Sequence, residues 1–321
     1  MAIVNCITQT IKDTPLVLLK SLSQGLDAQI AVKQEARLPG GSIKDRVGLY
    51  LIEDAEAKGL IHPSRSILVE PTSGNSGIAL AMVAAVKGYK LIIVMPENCS
   101  MERRVILKAY GAELRLTPAS QGMTGACAYA KTLVENTPNA YLLDQFGNPA
   151  NSEIHYKTTA PEIWASTQGK VDVFIAGVGT GGTVTGVGRF LKEQNPNIQI
   201  IAVEPAESAV LSGQAMGSHL IQGIGAGFVP SILDRSVIDE IIAVPSETAI
   251  AVAKELALKE GMLSGISSGA NVWAAMQVAK REASKGKLIV TIQCSNGERY
   301  LSSPLFKDLW TACDEMSVLG A

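Results

Sequence analysis

Between residues 66 and 292 the chain alternates, at a nearly even pace, short runs rich in β-branched residues with longer Ala-rich or amphipathic stretches. The runs are "SILVE" (66–70), "KLIIVM" (90–95), "AELRL" (112–116), "VDVFIA" (171–176), "IQIIAVE" (198–204), "VIDEIIAV" (237–244) and "KLIVTI" (287–292). Windows of helical character at 75–88, 101–110, 122–135, 182–194, 247–260 and 269–285 lie between most of them. That rhythm predicts βαβ units on parallel sheets. Near the N-terminus "LVLLK" and "AQIAVKQEA" flank "SLSQGLD" and read as an antiparallel hairpin. A length of 321 residues suggests two domains, and "GNPAN" (147–151), with its Gly, Pro and two Asn, is the best candidate for the crossover between two α/β layers.

Charge narrows the partners. With 28 basic and 30 acidic residues the formal net charge is −2, so no basic field exists to attract nucleic acid, and a small-molecule ligand is expected. Cys6, Cys99, Cys127, Cys294 and Cys313 show no C-x-x-C spacing, which speaks against a zinc site or a disulfide framework and for a reducing compartment. The apolar run "IALAMVAAV" is too short to span a bilayer, and the first residues carry no secretory signal pattern. A cytoplasmic location without membrane attachment is expected.

The stretch "PGGSIKDRVG" (39–48) places Lys44 at what reads as the first turn of a helix, with Ser42 as N-cap and Asp45 approximating a capping box. A cation there opposes the helix macrodipole by about 0.3–1 kcal/mol, a cost avoided by a lysine that is neutral or bonded to something. Three loops accompany it. "GVGTGGTVTG" (177–186) follows a strand and opens a helix. Gly177, Gly179 and Gly182 fit a G-x-G-x-x-G dinucleotide fingerprint, with Glu204 ending the next strand. The interleaved Thr180, Thr183 and Thr185 and the extra Gly181 point instead to an anion cradle for a single phosphate. "EPTSGNSG" (70–77) offers Thr72, Ser73, Gly74 and Asn75 at another helix start, suited to a carboxylate, and "GISSGA" (265–270) repeats the arrangement at Ser267 and Ser268. In open α/β sheets such loops gather at the carboxyl ends of the strands. A lysine able to form an imine, a phosphate cradle and a carboxylate loop are together what a pyridoxal-phosphate enzyme acting on an amino acid requires.

Taken with "TPLV" (14–17), "ERR" (102–104), "QFGNPAN" (145–151), "IQGIGAGFVP" (221–230) and "GERYLS" (297–302), these motifs run in order along nearly the whole chain. The set resembles the cysteine synthase family, the O-acetylserine sulfhydrylases. The resemblance implies a tryptophan-synthase-β-like α/β fold (fold type II of the pyridoxal-phosphate enzymes) with two open parallel-sheet domains and the active site in the cleft between them. The smaller domain would span 46–150 and the larger 1–45 plus 151–321. It implies that Lys44 carries pyridoxal phosphate covalently and acts as general base, that Gly179, Thr180, Gly181, Gly182 and Thr183 bind the phosphate, and that Asn75 bonds the ring's 3′ oxygen. Ser268 would meet the pyridine nitrogen, and Thr72, Ser73, Gly74, Asn75 and Gln145 would hold the substrate carboxylate. The implied reaction replaces acetate in O-acetyl-L-serine by sulfide, giving L-cysteine. A homodimer and a serine acetyltransferase whose C-terminal tail enters the cleft are the implied partners; "GIGAGF" (223–228) would close the cleft mouth.

Leu38, Cys99, Cys294 and Asn296 depart from the family pattern, and Cys294 reads as a packing cysteine with its redox role open. His62, His155 and His219 lie in no metal-like spacing and receive no catalytic role, and Arg103 and Arg104 read as a solvated or interdomain face. Alternatives within the same chemistry are a cystathionine β-synthase or an O-phosphoserine sulfhydrylase. From a different class, a nicotinamide dehydrogenase would use the 177–182 fingerprint with Glu204 at the ribose.

Overall fold

Each β-branched run becomes a strand in the structure, a computed structural model that describes residues 3–316. The ends of the expected larger domain, residues 1–2 and 317–321, lie outside the described residues. In chain order the strands are β1 (Leu16–Leu18), β2 (Gln29–Gln34), β3 (Ile67–Pro71), β4 (Lys90–Pro96), β5 (Glu113–Thr117), β6 (Ala140–Leu142), β7 (Val173–Gly177), β8 (Gln199–Pro205), β9 (Glu240–Val244) and β10 (Leu288–Gln293). The helices are α1 (Lys44–Ala57), α2 (Asn75–Lys87), α3 (Met101–Ala109), α4 (Gly122–Glu135), α5 (Ala150–Ile154), α6 (Ala160–Ser166), α7 (Gly182–Gln194), α8 (Ser246–Glu260), α9 (Ile266–Ala279) and α10 (Lys307–Asp314). A π-helical turn, His155–Thr159, joins α5 to α6.

Two sheets form. One has the order β1-β2-β10-β7-β8-β9, parallel except for the expected antiparallel β1–β2 hairpin; the other is all parallel, β5-β4-β3-β6. Both faces of each are covered, which is why the strands read as continuous apolar runs. In the larger sheet Ile30, Ile175 and Ile201 face one core, and Ala31, Phe174 and Ile200 face the other. In the smaller sheet Leu68 and Ile93 pack on one side, Val69 and Val94 on the other.

The chain crosses between the two layers at two places that matter for function. Leu38 and Val47 belong to the smaller sheet's core while Ile43 packs into the larger one, so Lys44 lies on the seam. The second crossing falls slightly beyond the expected "GNPAN": Ile154 packs with the smaller layer, Ala160 and Ile163 with the larger, and the π turn lies between them.

Ser42 Oγ accepts the Lys44 N–H at 3.3 Å, the bond expected of an N-cap side chain, one residue ahead of Ile43, whose dihedrals are already helical. Two local expectations are corrected. Asp45 makes no capping box, because its carboxylate turns back to accept the Gly40 N–H at 2.6 Å. The third helix start is also shifted: α9 begins at Ile266 rather than 269, so both serines of "GISSGA" lie in its first turn.

Candidate active site

A cleft of about 490 Å³ opens where the C-terminal ends of β3, β7 and β10 meet the starts of α1, α2, α7 and α9. Lys44, Thr72, Asn75, Gly179, Thr180 and Ser267 are among its walls, and no Asp or Glu lines it. Lys44 is half-buried, and its amine makes no ion pair or hydrogen bond among the described residues. Burial pushes its pKa below that of an ordinary lysine, only partly opposed by the nearby Cys294 thiol. An amine so placed is predisposed to be neutral and nucleophilic.

The cradle faces it. The amides of Gly179, Thr180 and Gly181 have no acceptor among the described residues, and Gly181, with φ +85°, is the left-handed cap from which α7 starts. These donors and the helix N-terminus supply the partial positive charge that a phosphate seeks. Bulk is excluded from the turn: a Cβ at Gly179 would collide with the Gly223 carbonyl, and one at Gly182 with the Asn151 side chain. Thr180 Oγ1 accepts from Asn151 Nδ2 at 3.0 Å. Thr183 Oγ1 lies 3.2 Å from His155 Nε2, and His155 Nδ1 lies 2.9 Å from Thr159 Oγ1. Burial, reinforced by the Lys44 and Arg46 charges, holds the His155 pKa well below the usual imidazole value. The π turn is what aims this neutral ring at the cradle.

The second loop is stiffened from beneath. Thr72 Oγ1 accepts the Gly74 N–H at 3.2 Å, and Arg103 donates to the Ser73 carbonyl at 3.0 Å. Ser76 donates to Gln145 Oε1 at 2.5 Å, while Gln145 Nε2 reaches the Pro71 carbonyl at 3.4 Å. The fully buried Glu70 accepts the amides of Asp144 at 2.9 Å and Gln145 at 3.1 Å. Burial nevertheless pushes its carboxyl pKa up to about 8, against the opposing pull of those amides.

The cleft therefore gathers Lys44, Thr72, Ser73, Gly74, Asn75, Gln145, Gly179, Thr180 and Thr183, with Gly181 and Gly182 shaping the turn behind. It does not gather two other residues read from the sequence. Ser268 is fully buried, its Oγ accepting the Cys294 N–H at 2.9 Å, and the serine on the cleft wall is its neighbour Ser267. Helical geometry explains the difference, since adjacent residues of one turn point about 100° apart. Glu204 does not face a nucleotide; its carboxylate accepts the Leu211 and Ser212 amides at 2.7 and 3.0 Å and the Ser212 hydroxyl at 2.6 Å. Sequence reasoning also missed His155, Asn151, Arg299 and Arg103. Arg103, expected on a solvated or interdomain face, is buried at 6% exposure and stacks at 5.4 Å on Tyr300 of the larger layer's core, so it lies between the layers and not in solvent. The ordered motifs "ERR" and "GERY" were the available signal. A second cavity of about 510 Å³, lined by Leu263, Phe306, Trp310 and Asp314 among others, contains neither Lys44 nor the cradle. No group of three or more metal-ligating side chains occurs among the described residues.

Fold and site together define a class: an α/β enzyme that presents one unpartnered amine and an uncharged phosphate cradle across a single cleft. The unbonded cradle amides, the collision that any side chain at Gly179 would cause and the unpaired Lys44 all fit a phosphorylated aldehyde. Residues 7–295 match the pyridoxal-phosphate dependent enzyme family, and the chain belongs to it. It is 53% identical over 308 residues to cysteine synthase 3 of Caenorhabditis elegans, across 96% of this chain and 91% of that protein. The cysteine synthase structure from Entamoeba histolytica superposes with a TM-score of 0.91 at 43% identity, covering 100% of this chain and 93% of that one. An O-ureido-L-serine synthase structure gives 0.92 at 42% identity, covering 97% and 100%.

Proposed function

We propose that this chain is a cysteine synthase that exchanges the acetate of O-acetyl-L-serine for sulfide. The observation that carries the reading is the unpaired, pKa-depressed Lys44 amine set in one cleft with the Gly179–Thr183 cradle. Pyridoxal phosphate, when bound, supplies the aldehyde that captures the amine and the electron sink that makes the substrate's Cα proton removable.

The remaining work falls to the chain's own groups. The Gly179–Gly181 amides and the Thr180 and Thr183 hydroxyls hold the phosphate, with Thr183 oriented by the neutral His155 ring. The loop Thr72–Asn75 and Gln145 hold the substrate carboxylate, and Arg103 on a wall free of carboxylates favours anionic ligands there. Lys44 Nζ takes the Cα proton and later returns it. The cleft wall offers the Ser267 hydroxyl and no acid, so Ser267 rather than Ser268 would meet the ring nitrogen. A neutral hydroxyl does not stabilise a protonated ring, which suits departure at Cβ better than transamination.

The same reading carries a smaller unit over 46–150 and a larger one over 1–45 with 151–321, supported by the switches of core at 43–47 and 154–160. It carries a homodimer and a cytoplasmic location; no helix among the described residues is long and apolar enough to cross a membrane. A loop built for a carboxylate also suits the C-terminal carboxylate of an acetyltransferase tail. The test is borohydride reduction of the purified protein followed by peptide mapping, with O-acetylserine and sulfide turnover measured in parallel. The expected result is a yellow, reducible chromophore on Lys44 and loss of turnover in Lys44→Ala. Equal turnover by the two proteins would refute it.

A further inference from the structure

The half-buried side chain of Arg299 joins two loops of the site. Its Nη1 donates to Asn75 Oδ1 at 2.8 Å, and its Nη2 donates to the Gly40 carbonyl at 2.6 Å, four residues before Lys44. Room for it is built into the glycine pair: Gly41 takes φ +75°, and a Cβ there would collide with Nη2. A guanidinium has donors only, so whatever amide oxygen it meets must be an acceptor. The two ends of an asparagine amide are otherwise interchangeable in shape, and their assignment rests on the partner. Here the partner decides it. Asn75 Nδ2 is turned away from Arg299, has no acceptor among the described residues, and belongs to a side chain that lines the cleft.

We propose that Arg299 is a positioning residue that fixes the polarity of the Asn75 amide, so that Asn75 can only donate into the cleft and therefore favours an ionised 3′ oxygen on the bound ring. This rests on the reading of Lys44 as the cofactor lysine. A donor already aimed at an anionic oxygen stabilises the anion, whereas an amide free to flip must first be held in that orientation and so stabilises it less. The contact to Gly40 ties the same guanidinium to the lysine's loop, so both groups that address the aldehyde end of the ring are set by one side chain.

The experiment uses the purified holoenzyme and reads the cofactor's absorption: the ratio of the long-wavelength band, which has the 3′ oxygen ionised, to the near-ultraviolet band, which has it protonated. Asn75→Ala, which deletes the donor to the ring, is expected to lower that ratio by on the order of tenfold, the effect of losing one hydrogen bond to a charged group. Arg299→Met, which only frees the amide, should lower it by up to about that much, and adding Arg299→Met to Asn75→Ala should change it no further, since the two act in series. A merely structural arginine would lower the thermal midpoint while leaving the band ratio in place. Should Arg299→Met fail to fold, Asn75→Asp serves, because its carboxylate keeps an ion pair with Arg299 yet offers the ring only an acceptor; the ratio should again fall. An unchanged ratio in Arg299→Met or Asn75→Asp, or additive falls in the double variant, overturns the proposal. A wild-type protein with no chromophore at all overturns the Lys44 reading, and this one with it.

Discussion

Replacing Glu70 by Gln should remove a pH dependence from the protein's stability. Glu70 has no exposed surface, and its carboxyl pKa stands at about 8 in the fold against an ordinary 4.5. The folded chain therefore holds a proton that the unfolded chain releases, and stability from this group is complete below about pH 4.5 and is lost as pH rises through about 8. Across that interval, at about 1.36 kcal/mol per pH unit, the upper limit of the loss is on the order of 5 kcal/mol. The two amide donors from Asp144 and Gln145 favour the ionised form and oppose burial, and about 8 is where the two balance. Glutamine cannot titrate, so the difference in unfolding free energy between wild type and Glu70→Gln should shift steadily in the variant's favour from pH 5 to pH 8. Urea unfolding of both proteins at half-unit pH steps measures it. A difference that stays flat over that range would show that Glu70 is ionised throughout and that the amides, not desolvation, govern it. The same variant turns an NH2 toward one backbone N–H and loosens Gln145, so the KM for O-acetylserine should rise more than kcat falls.

Other substitutions test separate parts of the site. Gly179→Ala forces a Cβ against the Gly223 carbonyl and should cost about 1–3 kcal/mol of stability, with weakened cofactor retention on dialysis. His155→Ala leaves the Thr183 hydroxyl unoriented, and cofactor dissociation should quicken about five- to tenfold, the loss of roughly one hydrogen bond. Ser267→Ala and Ser268→Ala should separate cleanly: the first alters the cofactor's absorption with little change in thermal midpoint, while the second leaves the Cys294 N–H unpaired at a cost of about 1–3 kcal/mol and spares the spectrum.

Much of the architecture could be read from the chain because strands buried on both faces must be apolar without interruption, and the helices between them carry their own periodicity. The exceptions were elements too short or too irregular to leave a pattern: β6 has three residues, and the π turn at 155–159 has no periodic signature. Lys44 was legible because a cation at a helix start contradicts local electrostatics and demands a reason. Arg103, Arg299 and His155 were not, since a charged or lone polar residue is by default solvated, and only tertiary packing shows a guanidinium buried behind a loop. Ser267 and Ser268 could not be told apart by composition at all. Their difference is one of rotation about α9, fixed by the Cys294 amide.

The two passages of the chain from one layer to the other each bring part of the cofactor's grip: Lys44 at the first, Asn151 and His155 at the second. The larger unit, 1–45 with 151–321, thus holds the lysine and the whole cradle, while Asn75 and the loop for the substrate carboxylate come from the smaller one. A fragment lacking the smaller sheet should therefore colour, if it folds, yet turn nothing over. Colour reports the larger unit alone, and turnover reports that the smaller one has docked.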